Sequence, residues 1–199
     1  MTNRLLIFTG IILLHFSACR QPEKRITTDY QYYDLKESEI QIRDNLIAVT
    51  NEDFLQYGSK LAYIKSNGDT IIPFGRFAYF GTDTLIYFAT VLEHLNDTTW
   101  GRKIAIDRNQ NILFDIVMFD NGPELFYDGL LRVIRNGKMG YSDSLGQIVI
   151  PCIYDYAKSF DNGQAEVTFK AKEYRDNGEY KRVESDEWFK IDRRGNKIE

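Results

Sequence analysis

The sequence predicts an all-β chain, an array of three to four three-stranded β-meander repeats that stays open rather than closing into a small propeller. Two observations predict the repeats. Residues 137–167 read as one complete meander, and diluted copies of this stretch recur on both sides of it. The open form is favoured because the copies are incomplete at both ends and unevenly spaced. Helix content is expected to be small.

Within residues 137–167, the order of turn and strand residues defines the unit. Residues 143–146 read Asp-Ser-Leu-Gly, a turn whose last residue can adopt a positive φ. The aliphatic run 148–150 is β-branched throughout and predicts the second arm of a hairpin. Pro151 lacks an amide hydrogen and is expected to end the ladder pairing. A second turn at residues 161–163 then leads to a closing strand.

The other copies align on this unit. Residues 62–73 align without a gap on residues 140–151, and residues 107–114 align on residues 143–150. A last partial copy covers residues 188–198. Each copy is therefore expected to contain the same hairpin, and the apolar strand faces are expected to form a shared core.

Aspartates recur at the turn of the hairpin, at Asp107, Asp143 and Asp192. Because Asp side chains bond to nearby backbone amides, we interpret the three as turn-stabilising groups. Other Asp and Glu residues are frequent enough to form pairs at glycosidase-like separations by chance, and no pattern specifies which two would be held together.

The third copy carries a recognisable consensus. Its matching residues are Gly137, Lys138, Gly140, Tyr141, Asp143, Gly146, Ile148, Ile150, Pro151, Tyr154, Asp155, Phe160, Gly163, Ala165 and Val167. This pattern resembles the WG repeat, also called the KWG repeat. The name-giving Trp and Gly positions are filled, copy by copy, by Leu61 and Ala62, Lys103 and Ile104, Met139 and Gly140, and Trp188 and Phe189. The literal Trp100-Gly101 pair lies out of register. The resemblance runs from about residue 46 to the C-terminus and implies a repeat scaffold without catalytic residues or a cofactor.

The N-terminus predicts export and lipidation. A basic residue and a short apolar run indicate a signal peptide over residues 1–18, too short for a membrane-spanning helix. The run ends in Phe16-Ser17-Ala18-Cys19, which resembles the bacterial lipobox, so Cys19 is expected to carry the lipid. The alternative is an ordinary signal peptide cut near Ala18. The lipobox predicts a membrane-anchored lipoprotein of the bacterial cell envelope, at the outer membrane or facing the periplasm.

Residues 19–45 are interpreted as the lipidated N-terminus with a spacer and capping segment, and residues 46–199 as the repeat domain. The tyrosines of residues 30–33 are expected to cover the exposed end of the repeat stack, with a carbohydrate-stacking surface as the alternative.

Composition restricts the chemistry. The formal net charge is −4 and basic residues are interspersed with acids, which argues against a nucleic-acid partner. With Cys19 lipidated, Cys152 stands alone, so we expect a buried, inert thiol and no intramolecular disulfide. His94 is the one histidine that follows the leader, which leaves too few ligands for a Cys/His zinc site. No metal or cofactor is expected.

Four junctions connect each closing strand to the next repeat, and they are expected to emerge from one edge of the array. Loops of repeat scaffolds tend to carry binding groups, so this edge is the candidate binding surface. Its aromatic residues are Phe54, Tyr57, Trp100, Tyr174 and Tyr180. For Trp100 the alternative is a ring folded over its own hairpin. The predicted function is a non-catalytic, lipid-anchored module that binds an envelope protein, a peptide or a glycan. The alternative is an envelope hydrolase with paired carboxylates.

Overall fold

The computed structural model describes residues 30–40, 44–96, 99–176 and 180–198, with side chains except at residues 94–100 and 175–181. The described part contains one 3₁₀ helix, Glu37–Glu39, and otherwise antiparallel β-strands, which confirms the all-β prediction. The strands are β1 (Leu46–Val49), β2 (Lys60–Ile64), β3 (Thr70–Tyr79), β4 (Thr84–Leu85), β5 (Ala89–Asn96), β6 (Thr99–Ile106), β7 (Ile112–Ile116), β8 (Met118–Phe119), β9 (Gly122–Pro123), β10 (Leu131–Arg135), β11 (Lys138–Ser142), β12 (Ile148–Tyr154), β13 (Tyr156–Ala157), β14 (Gln164–Thr168), β15 (Lys172–Asp176), β16 (Tyr180–Glu184), β17 (Phe189–Asp192) and β18 (Lys197–Ile198).

The main sheet is an open ten-stranded meander in the order β4-β1-β2-β3-β5-β6-β7-β10-β11-β12. A second sheet, β13-β14-β17-β18, follows it along the chain, and β8-β9 and β15-β16 form two separate hairpins. We define unit 1 as β2, β3 and β5, unit 2 as β6, β7 and β10, unit 3 as β11 to β14, and the partial unit 4 as β17 and β18. The predicted array of three to four meander units is confirmed, and so is its open form.

The same five-residue turn links the first two strands of every unit. It occupies residues 65–69, 107–111, 143–147 and 192–196, and in each the first amide donates to the fifth carbonyl at 2.9–3.0 Å. The fourth residue has a positive φ, at Gly68, Gln110, Gly146 and Gly195. Recurrence of one hydrogen-bonded turn at all four places confirms the alignment of the copies.

The aspartates at these turns have the predicted role. The Oδ1 atom of Asp143 accepts hydrogen bonds from the amides of Leu145 and Gln147 at 3.0 and 2.9 Å. Asp107 and Asp192 accept from the amides two and four residues ahead in the same way. These carboxylates are therefore occupied by the turns they stabilise.

Pro151 does not end the ladder as expected. Tyr141 pairs with Ile150 and Met139 pairs with Tyr154, so the three residues between Ile150 and Tyr154 form a bulge, after which pairing resumes. The missing amide of Pro151 is accommodated because a bulged residue needs no ladder partner.

A buried tyrosine marks the first strand of units 1 and 3. Tyr63 and Tyr141 are fully buried. Their hydroxyls donate to the carbonyls of Thr82 and Lys158, each at 2.7 Å, in the connection to the closing strand. Burial raises the pKa of both hydroxyls above their ordinary range. Each ring thus supports the core and fixes the connection beside it.

The apolar side chains form three clusters rather than the one shared core that was expected. On β6, Ile104 and Ile106 belong to the cluster of unit 1, whereas Ala105 belongs to the middle cluster. Tyr141 and Ile191 lie in the third cluster, which joins units 3 and 4. Because side chains alternate along a strand, a strand between two units can bury both faces.

Residues 30–40 pack on the middle of the array rather than covering its end. The Tyr33 amide donates to the Ile112 carbonyl on β7 at 2.8 Å. On β10, Arg135 pairs with the Asp34 carboxylate at 2.6 Å and donates to the Tyr33 carbonyl at 2.9 Å. The expected end cap is therefore wrong, because the partners of this segment lie in unit 2.

Within the described ranges, no helix has the length and apolar character needed to cross a membrane.

Candidate binding surface

The structure describes the side chains of three of the five aromatic residues that the sequence predicts for the binding surface. Phe54 and Tyr57 lie in the connection from β1 to β2 and are 66% and 54% exposed. Tyr174 lies on β15, with the guanidinium of Arg182 5.7 Å from its ring centroid. Trp100 lies on β6 and Tyr180 on β16, but their side chains fall outside the described part, as does Cys19 altogether. The two alternatives for Trp100 therefore remain predictions.

The four junctions do not share one edge of the ladder. Neighbouring strands are antiparallel throughout, and each unit adds three strands. The junction from β1 to β2 and the junction from β5 to β6 therefore leave the ladder at opposite strand ends. The expectation of a common edge is wrong because an odd number of strands per unit reverses the direction of each successive unit.

A second exposed apolar surface lies in the connection from β7 to β10, which the sequence analysis did not single out. We name it the apolar loop. It consists of the exposed residues Met118, Phe119, Leu125, Phe126 and Tyr127, of which Phe119 is 59% and Leu125 is 70% exposed. Exposed apolar residues clustered in this way commonly mark interaction surfaces. The sequence signal was present: two apolar runs flank Asn121-Gly122-Pro123 in a connection between repeats.

A buried ion pair holds the apolar loop on the scaffold. The Glu124 side chain is fully buried and both of its oxygens accept from Nε of Arg132, at 2.9 and 2.8 Å. Ser159 donates to the same carboxylate at 2.5 Å, and Arg132 donates to the Ala157 carbonyl at 2.9 Å. Burial lowers the pKa of Arg132, but the hydrogen bond and the charge of Glu124 outweigh it and raise the pKa. Because Glu124 points inward, its neighbours in the loop are presented outward.

Tyr57 connects the two surfaces. Its ring lies 5.1 Å from Phe80 and 6.0 Å from Tyr79, measured between centroids. Its hydroxyl lies so close to Gly122 that a Cβ at that position would be 3.2 Å away. The β8-β9 hairpin therefore rests against the junction that carries Phe54 and Tyr57, and Tyr57 is partly engaged in packing.

The N-terminal tyrosines and a guanidinium form a polar cluster beside the loop. Arg102 stacks on the Tyr30 ring, 3.4 Å from its centroid, and donates to Asp115 and to the Tyr32 hydroxyl. Tyr32 in turn donates to Asp115 at 2.6 Å. Tyr30, Tyr32 and Met118 line one shallow depression of about 430 Å³. The cluster is internally satisfied, so these rings serve the attachment of residues 30–34 to the body.

The Cys152 thiol shows the chemistry expected of a structural group. The Cys152 thiol is free and half-buried, and burial raises its pKa to about 11, which keeps it protonated and unreactive at neutral pH. The side chain of His94, the one histidine that follows the leader, lies outside the described part. Across the described residues, no three His, Cys, Asp or Glu side chains lie close enough to hold a metal ion.

The comparison with known families agrees with the geometry of unit 3. Residues 139–172 match the family model described as a WG containing repeat. This segment is similar to a WG repeat. The matched segment begins on β11 and ends as β15 begins, so it includes the turn at residues 143–147 and the bulge at Pro151. No curated protein and no solved structure matches the chain.

Proposed function

We propose that this protein is a non-catalytic, lipid-anchored interaction module of a bacterial cell envelope. It binds an envelope protein, a peptide or a glycan through aromatic side chains in the connections between its β-repeats. The observation that carries this proposal is the exposure of Phe54, an aromatic ring that lies in a junction loop between two repeats. Exposed aromatic residues on loops held by a rigid scaffold commonly dominate binding.

The disposition of the charged groups supports binding over hydrolysis. Glu124 is paired with Arg132, and Asp115 with Arg102. Glu166 and Asp192 have their pKa values lowered, by hydrogen bonds with Lys158 and Asn196 respectively. A hydrolase with paired carboxylates needs a general acid whose pKa is raised. These shifts run in the opposite direction, so the paired-carboxylate alternative gains no support.

The lipid anchor is tested by Cys19→Ala. The lipobox-like segment ending at Cys19 supports an acyl anchor at this position. We expect the substitution to release the protein from membranes or to stall its processing, as measured by detergent partitioning. Unchanged partitioning of the Cys19→Ala protein would remove the anchor from the proposal.

The binding role is tested by capture from native envelope extracts. We expect Phe54→Ser, Trp100→Ala and the double change Tyr174→Ala with Tyr180→Ala to lower capture of the partner while the melting temperature stays unchanged. The matched control is Phe74→Ser, because Phe74 is also exposed but lies on β3 rather than in a junction. Lower melting temperatures with normal capture would show that the rings pack on their own hairpins.

A further inference from the structure

The apolar loop lies where the chain enters the described body of the protein. Tyr30 and Met118 border the same depression, and Met118 is the first residue of the loop. Tyr30 is fixed there, because its amide donates to Asn136 Oδ1 at 3.0 Å and its ring stacks on Arg102. Tyr30 is therefore held beside the apolar loop by its own contacts.

The distance to the membrane is limited by the sequence. Cys19 precedes Tyr30 by eleven positions. A chain of this length spans at most about 40 Å when fully extended. If Cys19 carries the lipid, as the proposed function holds, Tyr30 and the apolar loop beside it stay within about 40 Å of the bilayer surface.

We infer that the apolar loop contacts the bilayer surface, with Phe119 and Leu125 reaching into the interface. This inference rests on the lipid anchor of the proposed function. Phe, Leu, Met and Tyr side chains partition favourably into the boundary between headgroups and acyl chains, and a contact of this kind adds to a lipid anchor. The buried pair of Glu124 and Arg132 keeps the loop in shape as it meets the lipid.

Charges of both signs lie near the loop. Asp120 and Asp128 are exposed, and Glu124 is neutralised by Arg132. A guanidinium nitrogen of Arg193 lies near Gly129, and Lys103 borders the depression beside Met118. The contact is therefore carried by the apolar side chains, and zwitterionic lipid tests it without a contribution from headgroup charge.

The experiment places a fluorescent reporter in the loop of the full, lipidated chain. Phe119→Trp protein is reconstituted in phosphatidylcholine vesicles with brominated acyl chains, and the emission of the unsubstituted protein is subtracted to remove Trp100 and Trp188. We expect loss of intensity and a shift to shorter wavelength. The matched control is Phe169→Trp, since Phe169 is 52% exposed but packs with Tyr154 and Phe189 in units 3 and 4. Its emission should not respond to the brominated chains.

The outcomes distinguish a failure of the membrane contact from a failure of the lipid anchor. Flotation of the vesicles separates bound from unbound protein, and mass spectrometry of the protein that floats with the vesicles reports whether Cys19 is acylated. Acylated protein that floats with unquenched Phe119→Trp would overturn the membrane contact, leave the anchor standing and assign the loop to a protein partner. Equal quenching at both positions would overturn the stated orientation. Protein that is neither acylated nor floated would overturn the anchor, and the inference with it.

Discussion

Units 1 and 3 contain the same hairpin in two different surroundings. Both have a buried tyrosine, the five-residue turn and a bulge that begins at a proline, Pro73 or Pro151. The bulge of unit 1 contains four residues between Ile72 and Phe77, whereas that of unit 3 contains three. The comparison shows how one repeat tolerates side chains that the other excludes.

Gly140 and Ala62 occupy the same position opposite these bulges. A Cβ at Gly140 would lie 2.5 Å from the Ile150 carbonyl oxygen and 2.7 Å from the Cys152 nitrogen, both backbone atoms. Ala62 carries such a Cβ in unit 1, where the bulge has one more residue. We conclude that the short bulge of unit 3 requires glycine, whereas the longer bulge of unit 1 leaves room for a methyl group.

The first prediction tests this difference and has the largest expected effect. Gly140→Ala should destabilise the protein by about 3 kcal/mol, because the methyl group meets backbone that cannot move without breaking the bulge. The reciprocal change Ala62→Gly should cost about 1 kcal/mol, the usual penalty for glycine in a strand. Urea denaturation of both variants measures the two values. Equal losses would show that bulge length does not determine which residue fits.

The turns of the two units differ in their neighbours. Gly146 has a φ of +86°, and a Cβ there would lie 2.9 Å from Phe88 and 3.3 Å from both Leu113 and Leu35. Gly68 has a φ of +92° with no atom within 4 Å of a Cβ. The turn of unit 3 packs on unit 2, as the turn of unit 4 packs on Ile150 through Gly195. Gly68 faces open space in the unit that begins the array.

The second prediction separates strain from contact. Gly146→Val should cost about 2 kcal/mol, because an unfavourable φ is combined with collisions between units. Gly68→Val should cost about 1 kcal/mol from the unfavourable φ alone. Thermal unfolding of the two variants gives the difference. A larger loss at Gly68 would mean that the turns were assigned to the wrong surroundings.

The turns and the unit boundaries were predictable from the sequence because their chemistry is local. A glycine at the fourth turn position and an aspartate at the first specify the turn at residues 143–147 without reference to the rest of the fold. The turn at residues 107–111 was also found, although Gln110 replaces the glycine, because Asp107 remained in place.

The apolar loop and the attachment of residues 30–40 were not predictable, because distant residues determine them. Met118 and Phe119 read like core residues but are exposed, whereas the charged Glu124 is buried against Arg132. Arg135 holds Asp34 from a position 101 residues away. Composition and periodicity report neither contact, so the apolar loop was not among the residues singled out from the sequence.

The third prediction concerns the first residue of the turn. Asp143 accepts two backbone amides, whereas unit 1 has Lys65 at this position and bonds Asn67 to Asp69 instead. Asp143→Ala should cost about 1 kcal/mol, the net value of such hydrogen bonds. Lys65→Ala should change stability by less than about 0.5 kcal/mol. The midpoint of urea denaturation measures both changes. An Asp143→Ala protein of unchanged stability would show that the carboxylate does not stabilise the turn.

The last and smallest expected effect is on the pH dependence of stability. It compares the turn of unit 4, which begins with the carboxylate of Asp192, with the turn of unit 1, which begins with Lys65. The pKa of Asp192 is lowered by its side-chain hydrogen bond with Asn196 and by the amides of Asn196 and Arg194. A depressed pKa in the folded state contributes stability that is present above the unfolded value of about 3.9 and is lost as the pH falls through the folded value. Asp192→Asn should therefore be less stable than the unsubstituted protein at neutral pH. Acidification should destabilise the unsubstituted protein more than the variant, so that the stabilities of the two proteins converge at low pH. Lys65→Ala should leave the slope of stability against pH unchanged in this range. Thermal unfolding of the three proteins between pH 2 and pH 7 measures the slopes, and a constant gap between Asp192→Asn and the unsubstituted protein would show that the turn does not depend on the charge of its aspartate.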